Sequence, residues 1–498
     1  MLSSFDLPDA DLPLRYGCED CACAVSESLP RRSSLRSRDW KADSRLVRGR
    51  EVIEIPLARD WRVLFNPVGR GGAIVVNDLA GRVFSCFERP AAVVEVLAAN
   101  PDLASEIEQV VGDLVEYGLI HPEGQAPRPE FADSRMLTAW LHVTNACNLR
   151  CPYCYLHKTP EGMTESVGRA SIDAVMNSAV AHGLAAVKLK YAGGEASLNH
   201  QLMLSLHDYA TVRAEQHGLA LHSTLLSNGV RLSAALIEAL KARDIRVMIS
   251  LDGLGEHHDV QRPFVSGKPS FKHVERTIGL LSAGGHAPHL SITVTNRNYA
   301  GLADVIRFAL EKDLTFSLNF FRDNDCAAPF ADLRYEEQAM ISALLEAFAV
   351  IEELLPRWSV LGSILDRGQL LEPRQRSCGV GEDYVVIDQR GRIAKCHMEI
   401  ERTIGDVFVD DPLRAVRHDL TLVQNLPVEE KEGCRDCTWR YWCSGGCAMA
   451  TFRATGRYDV KSPNCNIYKA IYPPALRLEG LRILKHAVST GGAGWASL

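Results

Sequence analysis

The stretch Leu137–Leu156, LTAWLHVTNACNLRCPYCYL, decides the fold. Its first seven residues are an apolar strand pattern. A polar loop follows, with Cys147, Cys151 and Cys154 spaced C-x3-C-x2-C. Further strand patterns lie at AAVKLKYA (185–192), LHSTLLS (221–227), IRVMISL (245–251), HLSITVT (289–295) and LTFSLNF (314–320). Helical patterns separate them, among them SIDAVMNSAVAHGL (171–184), SAALIEALKAR (233–243) and FKHVERTIGLLSAG (271–284). Strands joined by crossover helices run parallel. An α/β class is expected, as an open sheet or a partial barrel of six strands. In either, the site sits at the carboxyl ends of the strands. Asn145–Cys154, Gly193-Gly194-Glu195, Ser227-Asn228-Gly229 and Ser250–Gly253 all fall there.

The chain has 498 residues, 46% hydrophobic and 23% charged, with net charge −7. This is the composition of a globular protein of roughly three domains. It excludes a disordered, collagen-like or coiled-coil chain. The segment MLSSFDLPDADLPLRYG lacks an apolar secretory core, and no apolar run reaches membrane-spanning length, so a cytoplasmic protein without a membrane partner is expected. Fifteen cysteines are then thiols, metal ligands or catalysts rather than a disulfide scaffold.

Three thiolates on one loop are one short of a closed structural zinc site. They suit a four-iron cluster with one iron left open to a ligand. Zinc with His142 or His157 as fourth ligand is the alternative. The C-x3-C-x-Y-C pattern resembles the signature of the radical S-adenosylmethionine (SAM) enzymes, and the resemblance runs through the whole six-strand segment. Gly193-Gly194-Glu195 is similar to the family's Gly-Gly-Glu motif, which holds the SAM amino group; Ala196 replaces the proline many members have next. Ser227 and Asn228 resemble its polar strand end. SLDGLGEHHDVQRPFVSGKPSF (250–271) resembles the stretch whose Ser250 and Arg262 would contact the SAM ribose and carboxylate. The resemblance implies a partial (β/α)6 radical SAM barrel over 135–330. There SAM and a [4Fe-4S] cluster on Cys147, Cys151 and Cys154 would generate a 5′-deoxyadenosyl radical. An electron donor such as flavodoxin or ferredoxin is implied as partner.

A helical pattern at YEEQAMISALLEAFAVIEELL (335–355) lies in an expected linker, 331–372. Beyond it, Cys378, Cys396, Cys434, Cys437, Cys443, Cys447 and Cys465 resemble the seven-cysteine SPASM domain of radical SAM enzymes, expected over 373–475. The resemblance implies two auxiliary [4Fe-4S] clusters. Cys434, Cys437, Cys443 and Cys465 would hold one, and Cys378, Cys396 and Cys447 the other. Some relatives carry a further cysteine where this chain has Glu372 and Arg374, so the fourth ligand is open, with Cys326 a distant candidate. A zinc ribbon is the alternative. Residues 476–498 read as a tail.

Residues 51–125, with strand runs VIEIPL, WRVLFNPV and GGAIVVN and three helical stretches, read as winged-helix-like. Between 51 and 122, five arginines face eleven acidic residues, which opposes nucleic-acid binding. Beside a SPASM region, this domain resembles the peptide-recognition element of peptide-modifying enzymes, akin to the chaperone of pyrroloquinoline quinone biosynthesis. Such a domain takes a leader peptide as an added strand, and the barrel is expected to fold without it. Residues 1–50 read as a flexible arm, whose Cys18, Cys21 and Cys23 are assigned no site. The expected function is maturation of a ribosomally made peptide or protein by a thioether or carbon–carbon crosslink. The alternatives are a sulfatase-maturing, formylglycine-forming enzyme and a redox-sensing winged-helix regulator. Asp323 and Asp325, after the sixth strand, stand where a base would sit, although surface carboxylates are the commoner reading.

Overall fold

The computed structural model describes residues 1–3, 41, 43–69, 71–125 and 129–490; Cys18, Cys21 and Cys23 lie outside them. Six parallel strands form its centre: β1 (Met136–Thr144), β2 (Ala186–Gly193), β3 (Ala220–Ser227), β4 (Ile245–Ser250), β5 (His289–Val294) and β6 (Phe316–Phe320). They are the six strands expected. Helices α1 (Glu165–Ala181), α2 (His200–His217), α3 (Ala234–Lys241), α4 (Phe271–Ala283) and α5 (Leu302–Glu311) alternate with them. Thr164 and Ser233 start α1 and α3 by accepting the backbone N–H of Val167 and Leu236. All nine residues of β1 are buried, as in a parallel sheet covered on both faces.

The sheet does not stop at β1. Strands β7 (Tyr384–Ile387), β8 (Arg392–Ala394) and β9 (Thr403–Asp406) extend it to nine in the order β6-β5-β4-β3-β2-β1-β7-β8-β9. β7 runs parallel to β1, and β8 and β9 are antiparallel additions. The Cys-rich region is thereby bonded to the strand that carries the first cysteine loop. Helix α6 (Glu337–Leu354) packs on α5 and on the last helix, α7 (Cys465–Thr490).

The N-terminal domain has the expected strands, Ile53–Pro56, Arg62–Phe65 and Ile74–Val76, and helices Asp78–Ser85, Val93–Ala98 and Ala104–Glu116. Leu2–Ser3 adds a fourth strand beside Ile74–Val76. Three expectations need correction. The arm does not reach residue 50: Arg45–Arg48 is a strand paired with Ala91–Ala92 and Ile120–Pro122, and Leu46 is buried in the domain core. Its charged neighbours hid one apolar anchor. Residues 476–490 are no tail, because α7 continues through Pro473-Pro474 with Leu476, Leu478, Ile483 and Leu484 buried. Its charges Glu479 and Arg482 face inward as a buried pair at 2.7 Å. Burial of that face outweighs the N–H groups the prolines lack.

The third correction concerns independence. Along Arg62–Phe65 and Ile74–Val76 the side chains alternate. Leu64, Ile74 and Val76 enter the domain's own core, while Val63, Phe65 and Val75 enter the main core with the barrel strands. Phe65 lies 5.8 Å from the Trp439 ring and 4.8 Å from Trp442, whose indole N–H donates to the Pro67 carbonyl at 3.0 Å. A Cβ on Gly71 would sit 2.4 Å from the Leu371 carbonyl oxygen, so only glycine permits that approach. Deleting 51–122 would strip one wall of the shared core. Phe65→Ala should cost about 3–5 kcal/mol, the usual range for emptying such a site. Thermal melting should show the loss, and limited proteolysis should show new cleavage between this domain and the Trp439–Trp442 segment.

Candidate active site

The carboxyl ends of the six strands surround a cavity of about 230 Å³. Cys147, Cys151, Cys154, Gly193, Gly194, Glu195, Ser227, Asn228, Ser250 and Arg262 all line it. Every site residue expected in the barrel is therefore in one place. The cysteine loop is shaped by its neighbours. Asn145 donates to the His157 carbonyl at 2.7 Å and to the Thr159 hydroxyl, and pairs with His142 Nε2 at 3.1 Å. The Gly-Gly-Glu turn is laid against the start of that loop. A Cβ on Gly193 would meet the Thr144 carbonyl oxygen at 2.4 Å, and one on Gly194 the Ala146 carbonyl oxygen at 2.5 Å. The Glu195 backbone N–H donates to Ala146.

Glu195 is itself a tie. Its buried carboxylate accepts from Ser227 Oγ at 2.8 Å, from the Asn228 N–H at 2.6 Å and from the Ser197 N–H at 3.1 Å. Asn228 in turn donates to Asn148 Oδ1 at 2.7 Å, inside the cysteine loop. The ends of β2 and β3 and the loop after β1 are thus held in register. Across the cavity, buried Arg262 pairs with Asp252 at 2.7 Å. Asp252 also accepts from the Tyr153 hydroxyl and the Thr293 N–H. Sequence reasoning missed Asp252, although it stands two residues after Ser250 in the same stretch. It also missed Lys158, Arg322, Arg367 and His397.

Burial pushes Cys147 up and Cys151 up to about 12, against the pull of Arg262 on the latter; Cys154 raises both, and Cys147 also raises Cys151. They face one another, with Lys158 alongside, its ammonium hydrogen-bonded to Cys154. No group of three or more His, Cys, Asp or Glu among the described residues is gathered tightly enough for one metal ion. A closed structural zinc site would need a fourth ligand beside these three thiols. His142 pairs through Nε2 with Asn145, and burial holds its ring neutral, down at about 4. His157 is exposed, with its carbonyl on Asn145.

The other cysteines lie in two neighbourhoods. In one, burial takes Cys434 to about 11 and Cys443 to about 12; Cys465 and Cys437 also raise Cys434, and Cys434, Cys437 and Cys465 also raise Cys443. Cys378, Cys396 and Cys447 form the second set. Burial opposes ionisation of Cys447, but Arg322 and Arg367 reverse the balance and lower it. Cys326 does not belong there: its neighbours are Cys154, Glu401 and Lys158. Glu372 and Arg374 are held in turns, with Arg374 on the Arg367 and Ser377 carbonyls. Buried Lys431 lies between the sets. It donates to the Ser444 carbonyl at 3.0 Å and feels Cys434 and Cys443 on one side and Cys378 and Cys447 on the other. Asp323 and Asp325 are surface ion pairs with Arg334 and Arg453, outside the cavity.

The raised thiols set a pH dependence. A folded-state pKa above the unfolded value leaves stability intact below the unfolded value and removes it as pH rises past that point. The iron-free protein should therefore lose stability between about pH 9 and 12, where unfolded thiols ionise and Cys151 and Cys443 do not. Bound iron, which holds thiolates, should abolish the loss. Melting temperatures of iron-free and iron-loaded protein at pH 8 and 10 measure it, with iron-free Cys151→Ala as the reference for other titrating groups.

The sequence profile of the radical SAM superfamily matches residues 141–309. The chain is 22% identical over 334 residues to the cysteine-type anaerobic sulfatase-maturating enzyme of Clostridium perfringens strain 13, covering 61% of this chain and 86% of that one. It is 25% identical over 287 residues to the subtilosin biosynthesis protein AlbA of Bacillus subtilis, covering 55% and 58%. To the PqqA peptide cyclase of Methylobacterium sp. strain 4-46 it is 21% identical over 370 residues, covering 70% and 89%. In fold it resembles native anSMEcpe solved with bound AdoMet and Cp18Cys peptide, with TM-score 0.57 at 19% identity over 70% of this chain and 99% of that one. No helix among the described residues is long and apolar enough to cross a membrane. The first thiol loop and the Gly-Gly-Glu turn lie within the matched segment, so the barrel carries a radical SAM domain over residues 141–309.

Proposed function

We propose that this enzyme matures a ribosomally synthesised peptide or protein in the cytoplasm, forming a thioether or carbon–carbon crosslink. One observation carries the reading. The cavity that begins at Cys147, Cys151 and Cys154 ends at Arg322, Arg367, His397 and Met398, the surroundings of the Cys378–Cys396–Cys447 set. A substrate side chain held there stands between a site that removes a hydrogen atom and a site that takes up an electron. AlbA and the PqqA cyclase, by their names, act in peptide biosynthesis.

In this reading Cys147, Cys151 and Cys154 hold the SAM-binding cluster, which with SAM supplies the 5′-deoxyadenosyl radical. The chain's own residues bind and orient. The Gly193–Glu195 turn offers backbone carbonyls, and the one acceptor site left on Glu195, to the SAM ammonium. Ser227 and Asn228 keep that carboxylate aimed, and Ser250 faces the ribose. Arg262 commits Nε to Asp252 and keeps its other donors for the SAM carboxylate. Cys434, Cys437, Cys443 and Cys465 hold one auxiliary cluster, and Cys378, Cys396 and Cys447 the other, whose remaining ligand is unassigned. The N-terminal domain recognises a leader by strand addition, and a flavodoxin or ferredoxin supplies electrons. Sulfatase maturation is the second reading, favoured by a match over 86% of the Clostridium enzyme. Assay with a sulfatase-derived peptide and with any short peptide found encoded beside this gene separates the two.

Three four-iron clusters predict about 12 iron per chain. Replacing Cys147, Cys151 and Cys154 with Ala should remove about a third of the iron and all 5′-deoxyadenosine formation. Residual formation would refute the site. Glu195→Ala leaves buried donors unanswered, at about 1–3 kcal/mol each, and should weaken SAM binding roughly 10- to 150-fold with the iron retained, as read by equilibrium dialysis. Lys431→Met removes a buried cation common to both auxiliary sets. It should lower the reduction potentials of both those clusters and leave the SAM-binding one unchanged, measured by redox titration with electron paramagnetic resonance.

A further inference from the structure

The N-terminal domain's sheet has two edges of different kinds. One, Ile53–Pro56, ends in a proline, which has no N–H to offer an added strand. The other, Ile74–Val76, is already filled. Leu2–Ser3 pairs with it antiparallel, Leu2 opposite Val75 and Ser3 opposite Ile74. The filling strand uses both of its faces. Met1 packs on the domain's own core, and Leu2 packs on the main core. Helix α7, which starts at Cys465, lies against both the filling strand and the edge. The slot thus offers a backbone ladder and separate apolar niches for alternate side chains, the geometry of recognition by strand addition. Two paired residues fall below the usual strand length of about 3–10, and both Met1 and Leu2 are only half-buried. The occupant is held by few contacts.

With Ile74–Val76 as the edge that takes an added strand, we propose that residues 1–3 of this chain are its intramolecular occupant, displaced when an extended peptide with apolar side chains docks. The identity of the incoming peptide rests on the peptide-maturing reading; the occupancy does not. Residues 1–3 belong to the same chain as the edge they fill, so a peptide in solution binds only after outcompeting them.

The test uses the full-length, iron-loaded enzyme and a fluorescein-labelled synthetic peptide of sequence MLSSFDLP, that of residues 1–8. Leu2→Asp puts a carboxylate into the apolar niche and should release the strand. The peptide should then bind the variant at least about tenfold more tightly than the unaltered enzyme, while Leu2→Val keeps the weak binding of the original. Hydrogen exchange at Ile74–Val76 should be faster in Leu2→Asp and should slow again when peptide is added. Equal binding to all three proteins, binding to none, or protection that returns elsewhere overturns the proposal. Iron content and 5′-deoxyadenosine formation, measured on the same samples, report separately on the radical SAM site. Failure to modify any peptide would remove the maturase reading and leave the competition result standing.

Discussion

A thiol withdrawn from water does not ionise readily without a positive partner, and this structure buries or half-buries the cysteines of all three sets. Around each set stand cations that have themselves left water: Arg262 and Lys158 at the first, Arg322 and Arg367 at the second, Lys431 between the second and third. An unpaired buried charge is costly, so thiolates and cations are mutually dependent, and both wait on iron. Arg262 and Arg322 also have permanent carboxylate partners in Asp252 and Asp366. The arginines are therefore oriented before any cluster arrives, and the cavity wall is preorganised.

The same economy explains why the domains are not separable. The Cys-rich region has little periodic structure with which to fold alone, so it borrows an edge of the barrel sheet through β7 and a wall from the N-terminal domain through Phe65 and Trp442. The central helix of this arrangement, α7, begins at a cysteine of the third set and runs past the N-terminal sheet. An event at that sheet is one helix away from a proposed cluster ligand. Strand register carries the rest. β1 pairs with β2 on one side and β7 on the other, which places the loop of Cys147–Cys154 between the Gly-Gly-Glu turn and His397.

The six barrel strands and their helices were legible from the chain because each is a local pattern, an apolar run or a helical period, bounded by polar turns. The first cysteine triplet was legible for the same reason, since its spacing is set within eight residues. The partition of the C-terminal cysteines came from family resemblance rather than local chemistry and remains a proposal. Composition misled where charge is buried. Residues 476–498 read as a tail although Glu479 and Arg482 pair inside the core, and residues 1–50 as a flexible arm although Leu46 is buried among charged neighbours, because sequence shows a charge and not its partner.

The sequence by itself determined the alternating α/β core, the thiol loops and the strand ends where chemistry collects, all features fixed by residues near one another in the chain. Only the tertiary structure decided that Glu195 ties two strand ends to the cysteine loop, that Asp252 holds Arg262, that Cys326 sits near Cys154 rather than the second auxiliary set, and that residues 1–3 fill a sheet edge seventy residues away. Each joins groups from separate elements, and the energy of a buried hydrogen bond or ion pair depends on distance and burial in space, which spacing along a chain does not encode.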